Sequence, residues 1–398
     1  MTVPLLSVVI PSKDRAEYAM HCLATLARLE SSDLEIVVQD NSATDALGRT
    51  LTGAGADTRV RYEHVPGPLS VIENCDRGMA RARGEYVTLL GDDDGVTPAL
   101  LEAARWAAAR GLDALTPRLV AWYVWPDVRF KHYGDRYAGQ LAVRPFTGRC
   151  VERDARAGVR RSARHAFQDI GDSDGLPKLY YGLVRSACLE ALRAETGTCF
   201  PGVSPDMAVA IGVSKYVKRF MSLDYPLFVP GSSAKSTAGA SAAKRHVGRL
   251  EDQPHLPREC ARTWPVEVPA LFAVQTVWAQ SAISALRRTG RPEEVAHFDI
   301  GLLHAMCGVL NEGCWGATLR SYENALRATG MGRWRGAVAL GSGVARTWAL
   351  RARWLAGRVL RRPYYVGAWR VRGLSDVAAA VDALVARLGS CAAPPWAA

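Results

Sequence analysis

Up to about residue 115 the hydrophobic pattern of the chain alternates between two periods. Leu5 to Ile10 is an unbroken apolar run with β-branched residues, which predicts a strand buried on both faces. Between 16 and 30, Tyr18, Cys22, Leu26 and Leu29 recur at helical spacing. Leu34 to Val38 predicts a second buried strand and closes on the turn chemistry of Gln39-Asp40-Asn41-Ser42. Val60 to Val65 predicts a third strand, residues 70–83 a helix, and Tyr86 to Leu90 a fourth strand. Thr97-Pro98 predicts an N-cap with proline at the first helical position, opening a helix that runs to Arg110.

Strands that are apolar on both faces, alternating with helices, predict an α/β fold with a mostly parallel sheet flanked by helices. In such sheets ligands bind outside the carboxyl ends of the strands. Three polar clusters fall at those ends: Ser12-Lys13-Asp14-Arg15, Asp40-Asn41-Ser42 and Asp92-Asp93-Asp94. Further on the pattern is less regular. Residues 119–131 predict an aromatic strand broken by Pro126, and 132–176 a polar excursion with little periodicity. Helices are expected over 178–195 and 204–219, and a short strand from Tyr225 to Val229. Gly231 to Ala243 is a small-residue loop, and from His246 onward the pattern is helical, rich in Ala, Leu, Arg and Trp. The expected division is 1–245 as one α/β unit with halves that meet near 118, then 246–398 as a helical C-terminal region.

Composition changes this picture in two places. The nine cysteines form no C-x-x-C pair, which argues against zinc and a disulfide framework and for reduced thiols in the cytoplasm. The short VPLLSVVIP run follows no basic residue, and no apolar stretch approaches the ~20 residues of a membrane span. The formal charge is +11, yet ten arginines and no acid lie between Gly332 and Gly373, leaving the remainder near +1.

The stretch LLGDDDGVTP places three carboxylates in one turn after a strand. Hard cations such as Mg²⁺ or Mn²⁺ take oxygen ligands, commonly one or two carboxylates plus substrate phosphates. A capped, solvated turn is the competing account of the same residues. Asp40 is placed to accept from an imide N–H of a base, or to make an Asx turn. Asp14 and Arg15 suit base and phosphate contacts, or helix capping. Asn74 suits the same pocket, or a plain helix surface.

The segments SVVIPSKDR, EIVVQDNSATD and SVIENCDRGMARARGEYVTLLGDDDGVTP resemble the three N-terminal signatures of the family-2 glycosyltransferases of GT-A (Rossmann-like) fold. The resemblance covers about 5–110, weakens over 119–176, returns in 178–240 and stops near 245. It implies a nucleoside-diphosphate sugar donor, and a saccharide or lipid-linked saccharide acceptor. It implies that Pro11, Ser12, Asp14 and Arg15 line the nucleotide pocket, that Asp40 pairs with the base, and that Asp92 sits by the ribose or the metal. Asp93 is then the principal ligand of Mg²⁺ or Mn²⁺, and Asp94 is left open. Many members carry aspartate where this chain has Gly91.

An inverting transfer also needs a base within reach of the acceptor hydroxyl. In GVSPDMAVAIGVS, Asp206 opens an apolar helix whose N-terminus favours its anion, and it matches the family's carboxylate in order along the chain; ordinary helix capping is the alternative. Asp172 and Asp174 form a second D-x-D, expected to be a loop. The loop bearing Lys235, Lys244 and Arg245 suits closure over a diphosphate, or a flexible linker. His165 is expected to be solvated. The rival enzyme class is a nucleotidyltransferase, but PSKDR lacks the Gly-rich loop that class needs. The non-enzymatic rival is a basic protein that binds membrane or nucleic acid.

The arginine-rich segment 333–372 contains Trp334, Trp348, Trp354, Tyr364, Tyr365 and Trp369. It suits helices packed on the body of the protein, or docking to an anionic membrane surface at the inner face of the cytoplasmic membrane. Nucleic acid ranks well below both. Arg351 interrupts the apolar row Val344, Trp348, Leu355 and Val359.

Overall fold

The computed structural model describes residues 3–51, 57–131, 133–171, 175–236, 239, 247–253, 255–257, 259–359 and 369–397. The first half builds β1 (Leu6–Ser12), α1 (Ala16–Ala27), β2 (Leu34–Asp40), α2 (Ala46–Leu51), β3 (Val60–His64), α3 (Val71–Met79) and β4 (Tyr86–Leu89). These four strands pair in parallel in the order β3-β2-β1-β4. The apolar runs are continuous because each strand is covered twice. Val8, Ile10, Ile36 and Val38 face the core beneath α1, whereas Val9, Val37, Val87 and Leu89 face the core beneath α3. Ser70 and Glu73 form a reciprocal cap that fixes the start of α3.

The chain continues through β5 (Gly95–Val96), α4 (Ala99–Ala109), β6 (Ala114–Pro117), β7 (Ala121–Val124), β8 (Gln140–Val143), β9 (Cys150–Arg153) and α5 (Ala155–Arg164). Then come β10 (Leu183–Arg185), α6 (Ser186–Thr196), α7 (Pro205–Val213), β11 (Phe220–Leu223), β12 (Phe228–Val229) and β13 (Gly231–Ser232). Among the described residues the full sheet has eight strands, β3-β2-β1-β4-β10-β6-β11-β9, with β10 and β9 antiparallel to their neighbours. It is a mostly parallel sheet flanked by helices, as the pattern predicts.

Several expectations fail locally. Residues 178–185 are not helical: Tyr181 turns the chain at φ 59°, and Leu183–Arg185 fills the slot between β4 and β6. The helix expected over 204–219 stops at Val213, and Phe220 begins a strand. The excursion 132–176 contains β8, β9 and α5, whose Asp154 cap accepts from the N–H groups of Arg156 and Ala157. Thr97 caps nothing through its side chain; its hydroxyl donates to the Pro226 carbonyl at 2.9 Å. Asp172, Asp174, Lys244 and Arg245 lie outside the described residues.

The C-terminal part has β14 (Val247–Gly248), β15 (Phe272–Ala273), α8 (Val274–Arg288), α9 (Ile300–Leu310), α10 (Trp315–Thr329), α11 (Arg333–Val359), β16 (Trp369–Val371) and α12 (Val377–Leu388). It is mostly helical but returns to the first half. β16 pairs with β8, and Val377, Val381 and Leu384 of α12 join Tyr18 and Trp125 in one core. All nine cysteines are free. Among the described residues, no helix is long and apolar enough to cross a membrane.

Candidate functional site

The site forms where β1, β2 and β4 end on one edge of the sheet. The register sets Ser12 beside Asp40, and the main chain leaves β4 into Leu90-Gly91 and the carboxylate turn. Asp92, Asp93 and Asp94 are all buried. Burying a charge is costly unless it is paired and hydrogen-bonded, so each oxygen needs a donor.

Asp92 Oδ2 accepts from Ser12 Oγ at 2.7 Å, and Asp92 Oδ1 meets Arg15 Nη1 at 2.8 Å. Asp93 Oδ1 meets Arg15 Nη2 at 2.8 Å, while its Oδ2 accepts the Ser233 backbone N–H at 3.0 Å. Arg15 therefore spans both carboxylates and donates also to Ser233 Oγ at 3.0 Å. Its side chain is 19% exposed and forms the open edge of the cluster. Burial opposes the charge on Arg15, but Asp92 and Asp93 outweigh it, so the guanidinium stays charged. Burial pushes the Asp92 carboxyl up to about 7 against the pull of Arg15, with Asp93 adding repulsion.

Asp94 has a different task. Its Oδ1 accepts the Gly231 N–H at 2.7 Å, and its Oδ2 accepts the Gly91 N–H at 2.8 Å and the Tyr181 hydroxyl at 2.9 Å. Burial first, then Asp93, raises its pKa well above the carboxylate range. Asp94 thus locks the turn to β13 and to Tyr181. This geometry also accounts for Gly91: a Cβ there would lie 2.5 Å from Asp94 Oδ2 and 2.6 Å from the Tyr180 hydroxyl. At Gly231 a Cβ would lie 1.8 Å from the Asp93 carbonyl oxygen, which also accepts from Trp125 Nε1 at 2.9 Å.

The remaining strand-end residues wall the site. Asp14 sits at φ 54°, a strained conformation for a residue with a side chain. It is held by Ser42 Oγ, which accepts the Asp14 N–H at 2.7 Å, and by Ala43 N–H, which donates to Asp14 Oδ1 at 3.0 Å. Asp40 is fully buried; Ser42 N–H donates to Oδ1 at 2.8 Å and the Tyr62 hydroxyl to Oδ2 at 2.9 Å. A base would meet an Asp40 already carrying the Asx turn. Pro11 precedes Ser12 in β1 and is partly exposed. Asn74 Nδ2 donates to the Ser12 carbonyl at 3.1 Å, and its buried Oδ1 has no partner among the described residues. Asn41 Oδ1 and both polar atoms of Gln39 are likewise buried without partners among the described residues, a concentration that buried polar groups rarely show.

Asp206 stands apart from this cluster. It occupies the first turn of α7 after Pro205. Its Oδ1 accepts from the Ser204 hydroxyl and from the Met207 N–H at 2.7 Å. Among the described residues no hydrogen bond reaches its Oδ2, and none links it to the carboxylate turn. Burial raises its pKa, opposed by Ser204, the Met207 N–H and nearby Lys178. Lys235 pairs with Glu17 at 2.8 Å on the surface, and His165 is exposed at the end of α5.

The pattern of the chain singled out none of Tyr180, Tyr181 or Trp125, and it gave Gly231 and Ser233 only as part of a loop suited to close over a diphosphate. Their signals are faint: a double tyrosine before a glycine, and a glycine opening a small-residue loop.

The mostly parallel sheet flanked by helices is the arrangement expected of a GT-A fold. Residues 7–163 match the model of the family described as glycosyl transferase family 2. The glycosyltransferase GlyG of Streptococcus pneumoniae is 28% identical over 99 residues, 25% of this chain and 33% of that protein. A Campylobacter jejuni protein named GalNAc(5)-diNAcBac-PP-undecaprenol beta-1,3-glucosyltransferase is 28% identical over 114 residues, 27% of this chain and 36% of its own length. The chain thus spans about a third of the length of these curated relatives. The crystal structure of S. aureus TarS 1-349 in complex with UDP-GlcNAc superposes with a TM-score of 0.45 at 15% identity, covering 80% of this chain and 89% of that one.

Proposed function

We propose that the protein is an inverting glycosyltransferase. It moves a sugar from a nucleoside-diphosphate donor to a hydroxyl of a saccharide or lipid-linked saccharide, in the synthesis of cell-surface polysaccharide or glycoconjugate. One observation carries the reading: two buried carboxylates, Asp92 and Asp93, are joined by Arg15 where the parallel strands end. The family match over residues 7–163 supports the class, and the name of the C. jejuni relative speaks for a lipid-linked acceptor.

The donor set suits Mg²⁺ or Mn²⁺ in kind, since it offers carboxylate oxygens that already hold one cation, the Arg15 guanidinium. Asp93 and Asp92 would hold the ion, and Asp94, whose oxygens are committed to the turn, would not. Among the described residues no group of three or more His, Cys, Asp or Glu surrounds a common point, so donor phosphates and water would complete the shell. When bound, the ion would supply charge stabilisation to the departing diphosphate.

The chain's own groups divide the rest. Arg15, at the open edge, would pair with a diphosphate through the N–H groups that Asp92, Asp93 and Ser233 leave unused. Asn74 Oδ1 and Asn41 Oδ1 offer unused acceptors to the nucleoside. Pro11, Ser12 and Asp14 shape the wall, and Asp40 holds Ser42 and Tyr62 against it. Asp206 takes the acceptor proton on Oδ2, and its raised pKa makes it a stronger base than an exposed aspartate.

The test is a panel of UDP-, TDP- and GDP-sugars with Mn²⁺, read by thermal shift and by turnover. One nucleotide series is expected to stabilise the protein, EDTA to abolish transfer, and Asp206→Asn to remove turnover while sparing donor binding. Full activity of Asp206→Asn would overturn the base, and no response to any nucleotide would overturn the class.

A further inference from the structure

The outer face of α11 has a pattern that the donor chemistry does not use. The helix seats itself through a narrow seam of small residues. Gly343 packs on the Gly301 carbonyl of α9, Gly301 on Ala339, and Gly336 on Leu326 of α10. The Tyr322 hydroxyl donates to the Gly336 carbonyl at 2.8 Å.

On the side turned away from the seam lies a second row. Trp334 is 80% exposed, Val338 55%, Trp348 50%, Leu355 39% and Val359 80%. Gly341, Ala345 and Ala352 fill the positions between them, so the steps alternate between four and three residues along the whole helix. At 3.6 residues per turn this is one straight stripe about 40 Å long. No charged residue falls on it. Arg335, Arg346 and Arg353 project along one border, and Arg333 and Arg351 along the other.

Arg351 borders the stripe instead of interrupting it. Its Nη1 donates to the Val309 carbonyl at 2.8 Å, and its guanidinium lies over the Trp348 ring at 5.1 Å. Arg346 pairs with Asp299 at 2.7 Å. Arg333, Arg335 and Arg353 make no ion pair with any described residue.

We infer that this face is a docking surface for an anionic lipid bilayer, on which α11 lies in the plane of the interface. Charge complementarity selects this occupant. A second copy laid along the stripe would bring arginine borders against each other with no acid between Gly332 and Gly373 to relieve them. A nucleic acid would satisfy the arginines but leave the tryptophans and valines in water. Anionic headgroups pair with both borders while the stripe enters the acyl boundary, where tryptophan is favoured. The inference stands independently of the donor and acceptor reading.

The test is co-sedimentation of the full chain with vesicles of phosphatidylglycerol or of phosphatidylcholine. Binding to phosphatidylglycerol alone, weakened by salt, is expected. Trp334→Ser combined with Trp348→Ser should lower that binding more than about tenfold. Arg335→Gln combined with Arg353→Gln should lower it roughly 20-fold at low salt, and it carries the test if the tryptophan pair fails to fold. Equal pelleting of both variants and the unaltered chain would overturn the inference, as would indifference to phosphatidylglycerol. So would a lipid-free dimer that the tryptophan pair abolishes, because a second copy would then be the occupant.

Discussion

The carboxylate turn after β4 and the arginine helix α11 carry opposite charge, and they manage it in opposite ways. At the turn, Asp92, Asp93 and Asp94 are buried, and fixed donors from four separate segments serve their oxygens. On α11, three arginines have no ion-pair partner among the described residues, and large apolar side chains stand in water beside them. Buried charge has to be paired within the fold, so its partners are part of the structure. Exposed charge costs the fold little, so its partner is free to be another molecule. The turn is therefore held in shape by partners within the fold, whereas the helix leaves its charge to a partner outside it.

Removing Arg15 should break the comparison most severely. Arg15→Ala leaves Asp92 and Asp93 buried without their cation and should cost about 3 kcal/mol, seen as a lower urea midpoint at unchanged slope. A cost no larger than that of a surface arginine would mean the carboxylates do not depend on it. Gly91→Ala comes next, because its Cβ would press on Asp94 Oδ2 and the Tyr180 hydroxyl. A loss of about 1–3 kcal/mol is expected in the same experiment. Tyr181→Phe removes one donor from the buried Asp94 and should cost about 1–2 kcal/mol. At the far end of the scale, Arg335→Gln should shift stability by less than about 0.5 kcal/mol.

A pH titration sharpens the contrast. The Asp92 carboxyl, ordinarily near 3.8, stands at about 7 in the fold. Between those values the folded protein binds the extra proton, so stability falls as pH rises through the window. Metal-free melting temperatures should drop from pH 5 to pH 7, and Asp92→Asn should lessen the slope, leaving the share of Asp94 and Asp206, whose carboxyls burial also raises. A slope unchanged by the substitution would point to another group.

Much of the turn was legible in sequence, because parallel strands covered on both faces are unbroken apolar runs and their ends are where polar clusters start. The carboxylate cluster could be placed at a strand end on those grounds, while the choice of Asp92 and Asp93 within it came from the family resemblance. The duty of Asp94 could not, since it depends on Gly231 and Tyr181, far along the chain and brought in by β13 and the bend before β10. LYYGLVR is apolar enough for a helix, and only the gap between β4 and β6 makes part of it a strand. On α11 the composition announced a basic helix, but which apolar row faces outward depends on which small residues meet α9. That choice is a matter of packing, and the sequence pattern alone set Arg351 within a row that it in fact borders.

The most direct test of the carboxylate clamp as a donor site is calorimetric titration of UDP, TDP and GDP with Mn²⁺ into the unaltered chain and into Asp93→Asn. One diphosphate should bind the unaltered chain, and both EDTA and the substitution should weaken it by more than about tenfold. Equal binding by Asp93→Asn, or no binding of any of the three, would contradict the account.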